Sequence, residues 1–443
     1  MSQAPAPAAA HVATTPTPRA IALAAGLAAL ALALGALRPQ LWTLSLAFTF
    51  AAGALPLVDL LRAVGPDRLR LQVDAPSLLP LGQRGEVRLA AGFEGGVTPP
   101  ALEAALLVDD RLRAAPRLQP MEEARAAFDL SARRRGRLRL EAAQVRWAGP
   151  WGLVRRQVQA PLEREVVVTP DLGPARAAAS ALSASADAQR SARRRGEGTE
   201  FESLRPFAAG DDRRMIAWKR SARHGELLVK EFRLEQNTPL VLAVDTGRRM
   251  SEPLEGRPRV DHALSAALAL GYAALRAGDR VKLAGFDAAL RLDTPFMAGV
   301  RAFSRLQVAG AGLEYSAEEA NYTLGLHAVG AGLERRSVIV VFTEFTDTVA
   351  AELMLEAAGR LTRRHQLVFS VFRDDELEGL MAAEPRAPED VSRAVVAADL
   401  ARERRLVIER LRRMGVVVVE TRPGRISGAL IDAYLDLKRR NLA

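Results

Sequence analysis

Two carboxylates lie at the ends of stretches that have the pattern of buried strands. Asp245 ends the run PLVLAVD at 239–245, and Glu344 lies in the run VIVVFTEF at 338–345. Ligand sites of parallel sheets lie at the carboxyl ends of the strands, so both side chains are candidates for such a site. Carboxylate oxygens are ligands that divalent metal ions prefer. A metal-dependent enzyme that uses Asp245 and Glu344 is therefore one function that the sequence allows.

The segment 200–232 is the second stretch that could carry chemistry, because charges of both signs alternate there around apolar residues. Three interpretations are open: a structural clasp with Arg–carboxylate pairs, a partner-binding surface anchored by Trp218 and Arg205, and a catalytic carboxylate pair. The pair would be Asp211 and Asp212, but adjacent residues in a Gly-Asp-Asp turn point in different directions and share a proton poorly. The candidate residues for the clasp or the partner-binding surface are Arg205, Asp211, Asp212, Arg214, Trp218, Lys219 and Arg223.

Other catalytic patterns are absent from the 443 residues. The chain has no cysteine, which excludes disulfides and thiolate chemistry. It has no G-x-x-x-x-G-K-[ST] loop and no G-x-S-x-G turn, so we expect no ATP hydrolysis by the chain itself. The five His residues lack the spacing of metal ligands. The net charge of +10 would suit nucleic acid or anionic lipid, but no nucleic-acid-binding signature accompanies it, so we expect no nucleic-acid partner.

The elements that must position these residues follow two patterns. Residues 66–170 hold short alternating or apolar runs separated by Pro and Gly, which predicts an all-β sandwich. Across 238–443 buried strands alternate with helices, which predicts a doubly wound α/β domain with a parallel sheet. The charged segment 199–237 precedes that domain and follows a linker predicted over 171–198. Residues 1–18 have the composition of a disordered tail.

Two uncharged apolar runs lie near the N-terminus, from Ala20 to Leu37 and from Leu41 to Val58. Each would span about 27 Å as a helix, which is near the lower limit for crossing a bilayer. We therefore predict two transmembrane helices within 19–62, joined in a tight hairpin. The alternatives are a buried helical hairpin and a cleaved signal peptide, which would have a shorter apolar core and no second span.

Arginines around the two runs predict the orientation of the hairpin. Arg19 precedes the first run and Arg62, Arg68 and Arg70 follow the second, whereas the short link between the runs offers Arg38. Basic residues accumulate on the cytoplasmic side of membrane proteins. We therefore expect a two-pass protein of the inner (cytoplasmic) membrane whose soluble portion faces the cytoplasm.

Three stretches resemble the bacterial family known as domain of unknown function 58. The first is RRRGRLRLEAAQVRWAGPWGLVRR (133–156), in which residues 149–153 stand where the family has a D-P-F-G-L turn. The second is EFESLRPFAAGDDRRMIAWKRSARHGELLVKEF (200–232), which follows the family's core signature closely, with Phe207 for Tyr and Ala217 for an acid. The third is RRSVIVVFTEFTD (335–347), where Glu344 stands where the family often has Asp.

The resemblance implies a fold and a partner. The last domain is expected to be similar to a von Willebrand factor A domain. The chain is expected to act with a MoxR-type AAA+ ATPase in assembling or activating other protein complexes. The function implied is a membrane-anchored adaptor or assembly factor, not an enzyme, whose partners are that ATPase, unknown client proteins and membrane lipid.

The von Willebrand A fold often carries a metal site of pattern D-x-S-x-S, completed by a Thr and an Asp from later loops. Here Asp245 is kept, but Gly247 and Arg249 occupy the two Ser positions. Mg²⁺ prefers about six oxygen ligands, so the loss of two hydroxyls predicts a degenerate site without metal, and we expect no cofactor. We expect Arg249 or Arg248 to form an ion pair with Asp245, and Thr323 to be the later Thr. A metal-free recognition surface is expected at the strand-end rim, which consists of Asp245, Arg249 and Glu344.

Overall fold

The computed structural model describes residues 11–114, 118–171, 173, 174, 177, 200–208, 213, 216–233, 239–345, 348–373, 375–384 and 386–441. The chain divides into two compact units, Met1–Thr169 and Pro170–Ala443. Most of the linker predicted over 171–198 lies outside the described residues, as do Asp211, Asp212 and Arg214.

The first unit contains a helical hairpin whose two helices are long and apolar enough to cross a membrane. Helix α1 is Pro18–Leu37 and α2 is Trp42–Arg62. Thr17 caps α1 by accepting the Ala20 N–H at 3.2 Å, and proline at the first helical position lacks only an N–H that the helix does not use. Only 11% and 6% of the apolar windows of these helices are buried, which does not fit the alternative of a buried hairpin.

Residues 11–16 form a strand rather than part of a disordered tail. Strand β1, His11–Pro16, pairs antiparallel with the strand at Val154–Thr169, with His11 opposite Gln159 and Pro16 opposite Val154. The prediction of a tail over 1–18 is therefore wrong for residues 11–18, because an edge strand offers unpaired N–H and C=O groups to a polar segment of any composition. Since β1 precedes the hairpin and its partner strand follows it, both ends of the hairpin lie on one side.

The remainder of the first unit is β-structure around one core. Its further strands are β2 Leu69–Asp74, β3 Leu78–Pro80, β4 Arg84–Phe93, β5 Glu103–Val108, β6 Leu112–Arg113, β7 Gln119–Pro120, β8 Arg125–Ala132, β9 Gly136–Ala148 and β10 Val154–Thr169. One sheet has the order β1-β10-β9-β5-β7, with β3 beside β10, and the other has the order β2-β4-β8-β6. Alternate side chains of both sheets, including Phe128 and Leu140, meet in a single buried cluster.

The second unit begins with a small β-structure and continues with a parallel sheet and helices. Its elements are β11 Glu200–Pro206, α3 Trp218–His224, β12 Leu228–Arg233, β13 Pro239–Asp245, α4 Arg248–Ser251, β14 Pro253–Leu254, β15 Arg257–Pro258, α5 Arg259–Arg276, β16 Arg280–Phe286, β17 Leu290–Asp293, β18 Met297–Ala298, α6 Phe303–Ala311, α7 Tyr322–Ala331, β19 Val338–Phe342, α8 Thr348–Thr362, β20 Gln366–Phe372, α9 Asp375–Ala382, α10 Pro388–Arg413, β21 Val417–Thr421 and α11 Pro423–Asn441. The combination of sheets with helices is as predicted.

The larger sheet has the order β17-β16-β13-β19-β20-β21, with β18 beside β16. Strands β16, β13, β19, β20 and β21 are parallel. Both faces of β13 are buried, because α5 and α11 contribute to the core on one face and α7, α8 and α10 contribute to the core on the other. This explains why the run from Leu240 to Val244 is apolar without alternation.

The order of the strands creates a topological switch point at β13. The chain passes from β13 to β16 on one side and later returns to β19 on the other side. In open α/β sheets the crevice outside the carboxyl ends of two such strands is the usual place for a ligand. The ends of β13 and β19 are therefore where a functional site is expected.

In the first unit, Asp59 in the last turn of α2 holds the turn that joins β9 to β10. Its carboxylate is 0% exposed and accepts the N–H groups of Trp151 at 2.7 Å, Leu153 at 2.8 Å and Val154 at 3.0 Å. An ionised carboxylate can be buried only when its oxygens are satisfied in this way. The turn at 149–153, which resembles the family's D-P-F-G-L turn, is thereby tied to the end of α2.

The start of α1 binds the same turn. The Thr17 hydroxyl donates to the Gly152 carbonyl at 2.7 Å, and the Thr17 N–H donates to the Leu153 carbonyl at 2.9 Å. Arg156 donates to the Leu60 carbonyl at 2.9 Å, and the same carbonyl accepts the Ala63 N–H at 3.3 Å at the end of α2. Both helices of the hairpin are thus fixed to the β-structure of their own unit.

We predict that Asp59→Ala lowers the free energy of unfolding of the first unit by roughly 3 kcal/mol, because three backbone N–H groups lose a buried acceptor. Thermal unfolding of the full chain in detergent micelles measures the effect. Asp67→Ala, which removes an exposed carboxylate close to the end of α2, is the matched control and should change little. Equal melting temperatures for the two variants would contradict the role given to Asp59.

Candidate functional site

The candidate site lies where β13, β16 and β19 end. Asp245 is the last residue of β13, Asp287 follows β16, and Thr343 follows β19. Tyr322, the first residue of α7, reaches the same place from outside the sheet. Parallel strands in register bring these ends to one edge, so residues far apart in the sequence become neighbours.

Hydroxyl and amide groups contact both oxygens of the Asp245 carboxylate. The Gly247 N–H donates to Oδ1 at 2.7 Å, and the Thr343 hydroxyl donates to Oδ2 at 2.7 Å. The Tyr322 hydroxyl lies 3.2 Å from Oδ2, 3.0 Å from the Thr343 hydroxyl and 3.1 Å from the carbonyl of Glu344. Asp245 itself is only 1% exposed. The carboxylate therefore faces protein donors rather than an open crevice.

The surroundings of Asp245 raise the pKa of its carboxyl group above that of an exposed aspartate. Burial raises the pKa of its carboxyl from 3.8 to about 6, although the hydrogen bonds from Thr343, Gly247 and Tyr322 act in the opposite direction. Burial also raises the pKa of Tyr322 well above 10.0, and the negative charge of Asp245 adds to that effect. Tyr322 is therefore a neutral hydrogen-bond donor at any ordinary pH.

A loop at 312–321, which we call the covering loop, packs over the end of β13. The Arg248 N–H donates to the Glu318 carbonyl at 2.7 Å, and the Ser251 hydroxyl donates to the Ser316 carbonyl at 2.9 Å. A Cβ atom at Gly247 would lie 3.0 Å from the Ala320 nitrogen, which is tighter than ordinary contacts. Glycine therefore avoids a tight contact with the covering loop at the position where the adhesion-site pattern has its first Ser.

Two predictions about Asp245 are wrong. Arg249 pairs with Glu252 at 3.3 Å and Arg248 lies 3.7 Å from Glu319, so neither forms the expected ion pair with Asp245. The Arg248 side chain is exposed and that of Arg249 is half-buried, so water still solvates both guanidinium groups, whereas entering the site would require burying a second charge. The later threonine is also not Thr323, because the hydroxyl that contacts Asp245 belongs to Thr343.

Glu344 is satisfied separately from Asp245. Its side chain is 4% exposed, and Oε1 lies 3.0 Å from a guanidinium nitrogen of Arg404 on α10. Arg404 also lies 3.5 Å from Glu420 at the end of β21 and donates to the Phe372 carbonyl at the end of β20. The Glu344 carboxylate therefore belongs to a buried charge network across β19, β20 and β21, and only its backbone carbonyl joins the Tyr322 hydroxyl.

Asp287, the third acidic residue at this edge of the sheet, also has its own ion-pair partner. Arg291 donates to both oxygens of Asp287 at 2.7 and 2.8 Å, and the Ala289 N–H adds a bond at 3.0 Å. Burial alone would raise the pKa of Asp287, but these hydrogen bonds outweigh it and lower the pKa. Within the part of the chain that the structure describes, no three His, Asp or Glu side chains form a group able to hold a metal ion.

The charged segment 200–232 forms a two-stranded sheet with a short helix. β11 pairs antiparallel with β12, and α3 lies between them in sequence. Ser221 ties the helix to the strand, because it is 7% exposed and its hydroxyl accepts the Leu228 N–H at 2.9 Å. The Ala217 N–H donates to the Leu228 carbonyl at 2.8 Å. The hydroxyl bond gives a structural reason for Ser221 of the signature motif.

Trp218 is 65% exposed on α3 and is not buried against the rest of its unit. Lys219 and Arg223 are exposed on the same helix. Arg205 lies in β11, but its side chain is not among those described, and the pair Asp211 and Asp212 is also outside the described residues. Partner binding by this surface stays a prediction.

Sequence reasoning missed three residues that complete these sites. Thr343 directly precedes the candidate Glu344, and a hydroxyl next to a strand-end acid was a signal that could have been used. Tyr322 and Arg404 come from α7 and α10, and nothing in their local sequence indicates that they reach the edge of the sheet. Only the packing of those helices brings them there.

Comparisons with known proteins match part of the chain. A family model described as "Protein of unknown function DUF58" matches residues 203–419. This range includes nearly all of the stretch at 200–232 and all of that at 335–347, so their resemblance to the family is confirmed, whereas the stretch at 133–156 lies outside it. No curated protein matches the chain.

Three solved structures are similar to parts of this chain at low sequence identity. The conserved hypothetical protein BatB from Bacteroides thetaiotaomicron is 15% identical with a TM-score of 0.27, over 44% of this chain and 97% of that chain. An uncharacterized membrane spanning protein from Vibrio fischeri is 14% identical with a TM-score of 0.17, over 46% and 98%. A lipoprotein from Bacteroides thetaiotaomicron is 12% identical with a TM-score of 0.15, over 21% and 77%.

We predict that titration of Asp245 gives the second unit a distinctive dependence of stability on pH. The pKa of about 6 in the folded state lies above the ordinary value of 3.8, so folding favours the protonated carboxyl. This contribution is fully present below about pH 4 and is lost as the pH rises through about 6, a loss of about 3 kcal/mol.

Chemical denaturation of the wild type and of Asp245→Asn over this pH range measures the effect. The free energy of unfolding of the wild type, relative to the variant, should fall as the pH rises. Glu319→Gln removes an exposed carboxylate of the covering loop and should follow the wild type at every pH. Parallel profiles for wild type and Asp245→Asn would contradict the buried, titrating carboxyl.

Proposed function

We propose that the chain is a membrane-anchored adaptor or assembly factor that acts through protein–protein contacts, and that it works with a MoxR-type AAA+ ATPase. The observation that carries this proposal is the closure of the strand-end site. Asp245, the one ligand kept from the adhesion-site pattern, already binds Gly247, Tyr322 and Thr343. A domain that does not present a metal at this edge must recognise partners through its own surface.

The proposed fold assignments follow from the same features. We take the second unit to be a von Willebrand A-like domain, because the order of its parallel strands reverses at β13 and its degenerate D-x-S-x-S loop follows that strand. We take the β-structure of the first unit to be a sandwich, since two sheets share one buried cluster. The partner and its client proteins come from the family resemblance and not from a contact in the structure.

Localisation to the inner membrane is part of the proposal. Strand β1 pairs with β10, which supports two passes with both ends on one side. Arginines at those ends, namely Arg19, Arg62, Arg68 and Arg70, outnumber Arg38 at the link between the helices. The excess favours a soluble portion that faces the cytoplasm.

The alternative, a metal-dependent enzyme that uses Asp245 and Glu344, gains no support from the geometry. Such an enzyme needs oxygens that converge on one ion. Asp245 instead accepts from a tyrosine and a threonine, and the Glu344 side chain lies against Arg404. The two carboxylates therefore belong to different networks.

The surface that we propose for the partner is the exposed side of α3, which carries Trp218, Lys219 and Arg223. Trp and Arg are the residue types that contribute most to the binding energy of protein interfaces. A tryptophan that is 65% exposed contributes little to the core of its own unit and remains available for a partner. The half-buried rim residue Arg249 lies at the strand-end edge and is a second candidate contact.

Recovery of a MoxR-type AAA+ ATPase with the tagged full chain from membranes, in ATP, in ADP and without nucleotide, tests the proposal. We expect binding in at least one nucleotide state. Trp218→Ala should weaken that binding by about 2 kcal/mol or more, roughly thirtyfold in Kd, because an exposed aromatic anchor is lost. Its melting temperature should stay close to that of the wild type, since little buried area changes.

The matched control is Leu353→Ala, which truncates an exposed apolar side chain of α8 and should leave both binding and stability unchanged. Arg249→Ser tests the strand-end rim in the same assay and should weaken binding without a change in melting temperature. Absence of the ATPase in all three nucleotide states would remove the adaptor proposal. A Trp218→Ala variant that binds normally would remove α3 from the interface.

A further inference from the structure

The near end of the hairpin, where α1 begins and α2 ends, carries an exposed tryptophan that does not belong to either helix. Trp151 lies in the turn at 149–153 and is 44% exposed. Its own N–H donates to Asp59 of α2 at 2.7 Å, and the next residue of the turn accepts the hydroxyl of Thr17, the cap of α1. The indole is therefore held at the level where both apolar helices end.

Two arginines lie near the turn that carries this indole. The Arg62 guanidinium is 5.3 Å from the centroid of the Trp151 ring, and a guanidinium nitrogen of Arg19 lies 3.7 Å from the position of a Cβ on Gly152. Neither arginine makes a salt bridge with a side chain in the described part of the chain. The oxygens of the nearby Asp59 accept backbone N–H groups of Trp151, Leu153 and Val154.

The far end of the hairpin has a counterpart to Trp151. Trp42 begins α2 and is 64% exposed. From Trp42 to Asp59 the chain advances 17 residues, which is about 26 Å along a helix and close to the thickness of the hydrocarbon layer. Tryptophans concentrate at both boundaries of membranes, where the indole N–H reaches water and the ring lies among the upper acyl carbons. The two helices supply such a residue at the far boundary only.

We propose that Arg19, Arg62 and Trp151, which we call the near-end rim, bind phospholipid headgroups. The indole of Trp151 lies at the boundary between headgroups and acyl chains, and the two guanidinium groups bind the phosphate oxygens of anionic phospholipids. The β-structure of the first unit thus provides an interfacial anchor through Trp151, and the bonds from Asp59 and Thr17 hold that anchor at the correct depth. This inference rests on the membrane insertion that the proposed function includes.

Quenching of tryptophan emission by brominated lipids tests the position of Trp151. The full chain is placed in nanodiscs whose phospholipids carry bromine on acyl carbons close to the headgroup. The wild type should be quenched, and Trp151→Phe should lose on the order of half of the quenchable emission, a loss comparable to that of Trp42→Phe. Phenylalanine keeps a ring at the site, and the backbone bonds to Asp59 do not depend on the side chain, so both variants should fold.

The outcomes distinguish a failure of the proposed near-end rim from a failure of the proposed membrane insertion. If Trp42→Phe reduces the quenchable emission and Trp151→Phe does not, the near-end rim is overturned and insertion stands. If the lipids do not quench the wild type at all, both the rim and the proposed insertion are overturned.

Selectivity for anionic lipid tests the two arginines. The melting temperature of the full chain in detergent micelles is measured with added phosphatidylglycerol and with added phosphatidylcholine. Phosphatidylglycerol should raise it more, and the double variant Arg19→Gln with Arg62→Gln should lose at least half of that difference. Arg88→Gln on β4 is the control and should keep the full difference. Binding of anionic headgroups would be overturned if phosphatidylglycerol and phosphatidylcholine raised the melting temperature of the wild type equally. It would also be overturned if the double variant kept the full difference between the two lipids.

Discussion

A carboxyl group buried at the end of a parallel strand must have its oxygens satisfied, because an unpaired carboxylate in a protein interior is far too costly to persist. In the second unit this constraint falls on Asp245, at the switch point of the sheet. The Asp245 carboxyl accepts hydrogen bonds from Tyr322 of α7, from Thr343 after β19 and from the Gly247 N–H, and these donors satisfy it without an ion. The covering loop can then pack directly on Gly247, which closes the place where the adhesion-site pattern has a ligand hydroxyl.

The same constraint on a buried carboxyl group applies in the first unit. Asp59 ends an apolar helix and is fully buried, and its three N–H donors come from the turn that joins β9 to β10. The solution ties a membrane-compatible hairpin to a β-structure, and the pairing of β1 with β10 reinforces it. In both units, then, a buried acid is satisfied by backbone or hydroxyl donors from a distant segment, and that segment is fixed in place as a result.

The sequence predicts the elements better than the contacts. Continuous apolar runs such as 239–245 identify buried parallel strands, and two uncharged runs identify the hairpin, because hydrophobic pattern reports burial directly. The hydrophobic pattern does not show which side chain forms a hydrogen bond or ion pair with a buried charged group. Arg249 is near Asp245 in sequence but remains at the surface, whereas Tyr322 is far away and reaches the carboxylate through the packing of α7. Strand β1 was missed because edge pairing uses backbone groups, and residues 11–16 have no apolar pattern to reveal it.

We propose that donors from the protein close the strand-end site and that no metal ion binds there. Titration of the full chain in detergent micelles with Mg²⁺, read as melting temperature, tests it most directly. A site of micromolar affinity would add about 4 kcal/mol to the stability at about 1 mM Mg²⁺, which is readily detected. We predict no rise for the wild type. A rise that Asp245→Ala abolishes would contradict the closed site.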